Sequence, residues 1–186
     1  MSDRPVKLIL VDDDSLWRLG LQTALTRGNS QQNNLPNNQP EYLKITVQII
    51  AEVAKLSDLV SLELTVIPDV LILGVTGHNL VQLWQPCQQI QQKFPQLNIL
   101  LLSIPLTPEE LSQARARGIK GYCLRTEAIA TILRAIDQVA QGEYFWSEVQ
   151  SDKLAEAFPT KSNLTPPPNA TFLYSQAITG VNQIDQ

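Results

Sequence analysis

Three consecutive carboxylates, Asp12-Asp13-Asp14, close the apolar run Leu8-Ile9-Leu10-Val11 and stand just before a segment of helical spacing. At the carboxyl end of a buried strand such acids project into the crevice where open α/β sheets bind ligands. Paired carboxylates are hard oxygen donors, suited to a divalent cation. Without one they repel: two like charges ~4 Å apart cost roughly 1 kcal/mol in water and about 4 kcal/mol at an effective dielectric of 20. Few other residues offer comparable chemistry. His78 is the one histidine, a thin case for a metal ligand or a substitute phosphate acceptor beside two aspartates, and it reads as a loop residue without a role. Cys87 and Cys123 read as small buried groups rather than a zinc site or a disulfide framework.

Short apolar runs alternate five times with longer segments of helical period. The runs are 6–11, 46–53, 69–74, 98–103 and 121–124, and several are apolar on both faces, as in Ile99-Leu100-Leu101-Leu102. Strands buried on both sides of a parallel sheet have this pattern. Between them, 15–27 places Trp17, Leu21, Ala24 and Leu25 on one helical face, with Ser15 as its cap. Thr107-Pro108-Glu109-Glu110 combines a cap, a first-turn proline and first-turn acids. In 126–141, Ile129, Ile132, Leu133, Ile136, Val139 and Ala140 make a stripe, with Thr126 expected as cap and Gly142 as stop. Five such units predict a doubly wound α/β protein with a five-stranded parallel sheet. Trp17, Trp84 and Trp146 read as packing residues.

Two segments fall outside that pattern. Residues 28–40, mostly Asn and Gln with two prolines, read as a surface insertion. After 146, residues 147–158 have the pattern of one more short helix, and 159–186 read as a Pro-rich linker and tail. A linker followed by so little suggests the front part of a longer protein. Charged residues make up 17% of the 186, below the roughly 25% usual in globular domains. A net charge of −4 gives no reason to expect nucleic acid or an anionic membrane as partner. No apolar stretch approaches the roughly 20 residues that span a bilayer, so the chain reads as a soluble cytoplasmic protein.

The opening, Leu8 through Leu21, resembles that of response-regulator receivers, in particular the subgroup usually joined to a helix-turn-helix output domain. Three further stretches match in order: Pro68–Leu73, Ile99–Ser103 and Gly118–Arg125. The segment from Ala135 to Trp146 matches the closing helix and its exit. The resemblance covers about residues 5–146 and implies a CheY-like, flavodoxin-like three-layer sandwich. It also implies a pocket in which Asp12 and Asp13 hold magnesium and Ser103 binds a phosphoryl group. Two positions depart. Gly74 stands where the phosphate-accepting aspartate belongs, and Arg125 replaces the phosphate-pairing lysine. The Met-Pro usual beyond the aspartate is likewise Gly77-His78.

Glycine has no side chain to attack a phosphodonor, so no acyl phosphate forms at position 74. Magnesium loses a ligand, leaving at most weak binding at Asp12 and Asp13 and no expected cofactor. A guanidinium forks naturally onto carboxylates, so Arg125 is expected to bridge Asp12 and Asp13 in the metal's place. The alternative is an exposed arginine without a pocket role. Tyr122 stands where receivers often carry a switching aromatic, or is simply core. The implied function is a non-enzymatic, phosphorylation-independent pseudo-receiver. It would bind a protein partner or a second copy through helices 107–117 and 126–141. The competing reading is the receiver of a DNA-binding transcription regulator whose output domain is absent from this chain. An enzyme of flavodoxin type would need a Gly-rich phosphate loop where Asp12-Asp13-Asp14 stands. The Asn/Gln-rich insertion and the altered pocket also resemble degenerate receivers at the front of cyanobacterial and plastid proteins.

Overall fold

A computed structural model describes residues 4–31, 45–77 and 80–147 of the chain. Its strands are β1 (Val6–Val11), β2 (Val47–Val53), β3 (Val70–Val75), β4 (Asn98–Ser103), β5 (Gly121–Leu124) and β6 (Phe145–Trp146). The helices are α1 (Ser15–Gln31), α2 (Leu56–Ser61), α3 (Val81–Lys93), α4 (Pro108–Ala116) and α5 (Ile129–Ala140). All strands pair in parallel, in the order β2-β1-β3-β4-β5-β6. The chain moves outward from β1 to β2 and then returns to β3. The switch point of the sheet therefore lies between the carboxyl ends of β1 and β3, where such folds place their ligand crevice.

Alternation along each strand explains the three layers. Leu8, Leu10, Ile72, Leu100 and Leu102 face α1 and α5, where they meet Leu21, Leu25, Ile132, Ile136 and Val139. Ile9, Leu71, Leu73, Ile99 and Leu101 face the other way, onto Leu56 and Leu59 of α2, Ile90 of α3 and Leu111 of α4. Each fully buried leucine or isoleucine contributes roughly 1.5–3 kcal/mol. No helix among the described residues is long and apolar enough to cross a membrane.

The helix ends separate local from tertiary control. At α4, Thr107 and Glu110 form the expected capping box, with Pro108 in the first turn. At α1 the cap is Asp14, not Ser15: its Oδ1 accepts from the backbone N–H groups of Leu16 and Trp17, both at 3.0 Å. This helix also runs on to Gln31, into the stretch read as insertion; residues 32–44 lie outside those described. Thr126 does not cap α5. A turn intervenes, with the Glu127 N–H bonded to the Leu124 carbonyl and its carboxylate to the Leu124 N–H, so the cap position falls to Ala128. Gly142 ends α5 as expected, in the left-handed conformation (φ 81°) that glycine adopts without strain.

The sheet has a sixth strand beyond the five anticipated. Phe145 and Ser147 donate to the carbonyls of Lys120 and Tyr122, at 3.0 Å each, and so cover the outer edge of β5. Two residues carry no readable period, so this pairing exists only through its partner strand. The tail segments 147–158 and 159–186 lie outside the described residues, apart from Ser147.

Candidate functional site

Asp12 leaves the end of β1 with only 2% of its surface exposed. Its surroundings fix its orientation. Its N–H donates to the Val53 carbonyl at 3.2 Å, its carbonyl accepts from the Arg18 guanidinium, and its Oδ1 accepts from the Asp14 N–H at 2.8 Å. Beside it runs β3, where Gly74 pairs with Leu102 of β4. A Cβ atom at Gly74 would lie 1.7 Å from Asp12 Oδ2 and 2.5 Å from Asp12 Cγ. The Asp12 carboxylate therefore lies in the volume that any side chain at position 74 would have to use.

Arg125 completes the arrangement. Its backbone N–H donates to the Ser103 carbonyl at 2.9 Å, which anchors the residue just past β5. Its side chain reaches across the ends of β4 and β3 to β1. Nη1 donates to Asp12 Oδ2 at 2.5 Å and Nη2 to Asp12 Oδ1 at 3.4 Å. The guanidinium carbon lies 3.9 Å from the centre of the Trp17 ring, and the Arg125 side chain is only 10% exposed. Charge-assisted forks are stronger than neutral hydrogen bonds, and a desolvated cation over an indole adds up to about 2 kcal/mol.

Arg125 does lie in the pocket, but it does not bridge Asp12 and Asp13. Asp13 is exposed and outside the ion pair; the second acid near Arg125 is Asp14, whose Oδ2 is 4.0 Å from Nη2. The reason is directional: successive side chains of an extended segment point to opposite sides, while the Asp14 carboxylate, itself 48% exposed, folds back to cap α1 and so comes near Arg125. Ser103 is fully buried, and its Oγ has no hydrogen-bond partner among the described residues. Tyr122 is held inward as core. Its hydroxyl donates to the Ile104 carbonyl at 2.8 Å, and its ring stacks on Trp146 with centres 6.2 Å apart. Burial pushes its phenol up to about 12. Burial likewise raises Cys87, to about 12, and Cys123, so both stay as unreactive thiols at neutral pH. His78 lies outside the described residues.

Two contributors escaped the sequence reading, Trp17 and Asp14. By its spacing in the sequence Trp17 reads as a packing residue. Its signal is its place in the first turn of the helix that follows the acids, which points its ring back over the strand ends.

Divalent ions of this kind need several oxygen ligands. Here Asp12 is committed to Arg125, Gly74 supplies no side-chain oxygen and Asp13 is exposed. Among the described residues no group of three or more His, Cys, Asp or Glu side chains is placed to hold a metal. The residues do not fit magnesium. Beside the ion pair, a groove of about 260 Å³ opens between α1 and α5. Trp17, Leu21 and Ala24 line one side, Ile129 and Ile132 the other, and Arg125 lies at its rim.

No family model matches the chain. It is 29% identical over 152 residues to a Ycf55-like protein of Synechocystis, covering 81% of this chain and 24% of that protein. To a nitrate/nitrite response regulator protein homolog of Haemophilus influenzae it is 26% identical over 156 residues, 84% of this chain and 66% of the relative. The chain thus spans less than two thirds of the length of either. Among solved structures, the isolated receiver domain of RcsB from Salmonella enterica, in the presence of the phosphomimetic BeF3−, superposes with a TM-score of 0.62 at 21% identity. That match covers 81% of this chain and 99% of the other. The chain therefore has the fold of response-regulator receivers and resembles response regulators in sequence along most of its length.

Proposed function

We propose that this chain is a pseudo-receiver: a cytoplasmic, non-enzymatic signalling module that works by protein contact and whose state does not depend on phosphorylation. The observation that carries this reading is the place of the Asp12 carboxylate, seated over Gly74 and neutralised by Arg125. An acyl phosphate needs a carboxylate nucleophile at position 74, and the space for one is taken by a neighbouring acid. Magnesium has no part in this arrangement, because its charge is supplied by the guanidinium. What remains for function is surface. We assign the contact with a protein partner, or with a second copy of the chain, to α5 together with a neighbouring helix. Exposed apolar side chains favour α1 as that neighbour over α4: Leu16 and Leu19 of α1 are 80% and 57% exposed, and Ile129 at the start of α5 is 37% exposed.

The test is incubation with acetyl phosphate and magnesium, followed by intact-mass measurement. Wild type should gain no mass. A wild-type chain carrying one phosphoryl group would overturn the reading. Gly74→Asp alone should also stay unlabelled, because Asp12 and Arg125 occupy the position; Gly74→Asp with Arg125→Lys is the combination expected to accept phosphate.

A further inference from the structure

The carboxyl end of the sheet offers a cation site of unusual chemistry. One wall is the two oxygens of Asp12, buried and held in orientation by the Asp14 N–H. A second wall is the Trp17 indole, whose ring centre lies 3.9 Å from the Arg125 guanidinium carbon. The floor is Gly74, where even a methyl group would fall 1.7 Å from Asp12 Oδ2 and 2.9 Å from Arg125 Nη1. A carboxylate that accepts a fork, together with an aromatic face, suits a planar, weakly hydrated cation. It suits a hard divalent ion poorly, since the indole and the glycine provide no side-chain oxygen. A compact ammonium would meet the carboxylate but could neither fork onto both oxygens nor stack.

We propose that this is a guanidinium site, occupied by the chain's own Arg125, in which a tethered cation has taken over the electrostatic place of a metal ion and ties the β5–α5 turn to β1 and α1. A metal ion occupies its site in proportion to its concentration in solution. A covalently attached cation is present at a high effective concentration whatever the medium holds. The site is therefore permanently filled. Because Trp17 and Arg125 also border the α1–α5 groove, that groove is held in one shape. The inference rests on the reading above only in taking this pocket as one freed from phosphoryl chemistry.

Chemical rescue tests it. In the full chain, Arg125→Ala should lower Tm by roughly 5 °C or more. Methylguanidinium at millimolar concentration should recover part of that loss, whereas methylammonium or magnesium chloride at equal ionic strength should not. Adding Trp17→Leu to Arg125→Ala should abolish the recovery. No fall in Tm, or equal recovery by all three cations, overturns the proposal. If Arg125→Ala does not fold, Arg125→Lys carries the test: it keeps the charge, loses the fork and the plane, and should melt below wild type. A lysine variant as stable as wild type also overturns the proposal. Failure here is distinguishable from failure of the pseudo-receiver reading, which the phosphodonor experiment on wild type reports separately.

Discussion

Two Arg–Asp pairs hold opposite ends of the same sheet. At the amino end, Arg4 forks onto Asp69 with both contacts at 2.9 Å, and Asp69 Oδ2 also accepts the Lys7 N–H at 2.9 Å. At the carboxyl end, Arg125 forks onto Asp12 less evenly, at 2.5 and 3.4 Å. By geometry alone the first pair is the better formed. Burial reverses the ranking. The Arg4 and Asp69 side chains are 59% and 18% exposed, those of Arg125 and Asp12 only 10% and 2%. A hydrated guanidinium loses little when its partner goes, because water replaces it. A buried one is left with an uncompensated charge. The comparison teaches that the same two residue types act as a surface clip at one end and as a structural core at the other.

The largest effect should come from Asp12→Ala, which leaves the Arg125 guanidinium enclosed against Trp17 without its carboxylate. A loss of about 3 kcal/mol is expected in urea unfolding, and a loss no greater than that of Asp69→Ala would erase the distinction between the two ends. Gly74→Ala comes next. Its methyl group cannot coexist with Asp12 in place, so overpacking should cost roughly 1–3 kcal/mol; an undiminished stability would mean that the carboxylate has another seat. The smallest effect belongs to the exposed clip and is best seen against pH. Burial pushes the Asp69 carboxyl up, but the Arg4 hydrogen bond, the Lys7 N–H and the nearby positive charges outweigh it and hold the group below its ordinary 3.8. A lowered folded-state pKa means that its stabilisation is complete above about pH 4 and is lost as the pH falls through the lowered value. Asp69→Asn should flatten the stability profile in that acid window, its modest loss of stability being full and constant from about pH 4 to neutral pH and vanishing in stronger acid. A flattening of equal size around pH 7 would contradict the assignment.

Much of the architecture was legible because parallel strands buried on both faces cannot hide their apolar runs. Leu8–Val11 and Ile99–Leu102 announce themselves without any knowledge of the fold. Local chemistry was legible where it closes on itself within one turn, as in the Thr107–Glu110 box. It failed where a competing local interaction decided the outcome. Asp14 took the cap position from Ser15, and the Leu124–Glu127 turn displaced Thr126 from α5. The short strand β6 could not be read at all, since its two residues owe their conformation to the edge of β5.

The site divides along the same line. That position 74 carries no nucleophile follows from the residue itself, because glycine has no atoms with which to accept a phosphoryl group. That Asp12 and Arg125 are charged groups at the ends of strands follows equally from the order of residues. Their meeting does not. Asp12 and Arg125 are 113 residues apart, and their contact depends on which strands lie between them, how far a side chain can reach across the strand ends, and what space Gly74 leaves open. The roles of Trp17 over the guanidinium, of Asp14 rather than Asp13 near it, and of Tyr122 held in the core are likewise set by direction and packing. Such through-space relations depend on the folded sheet, and no linear pattern encodes them.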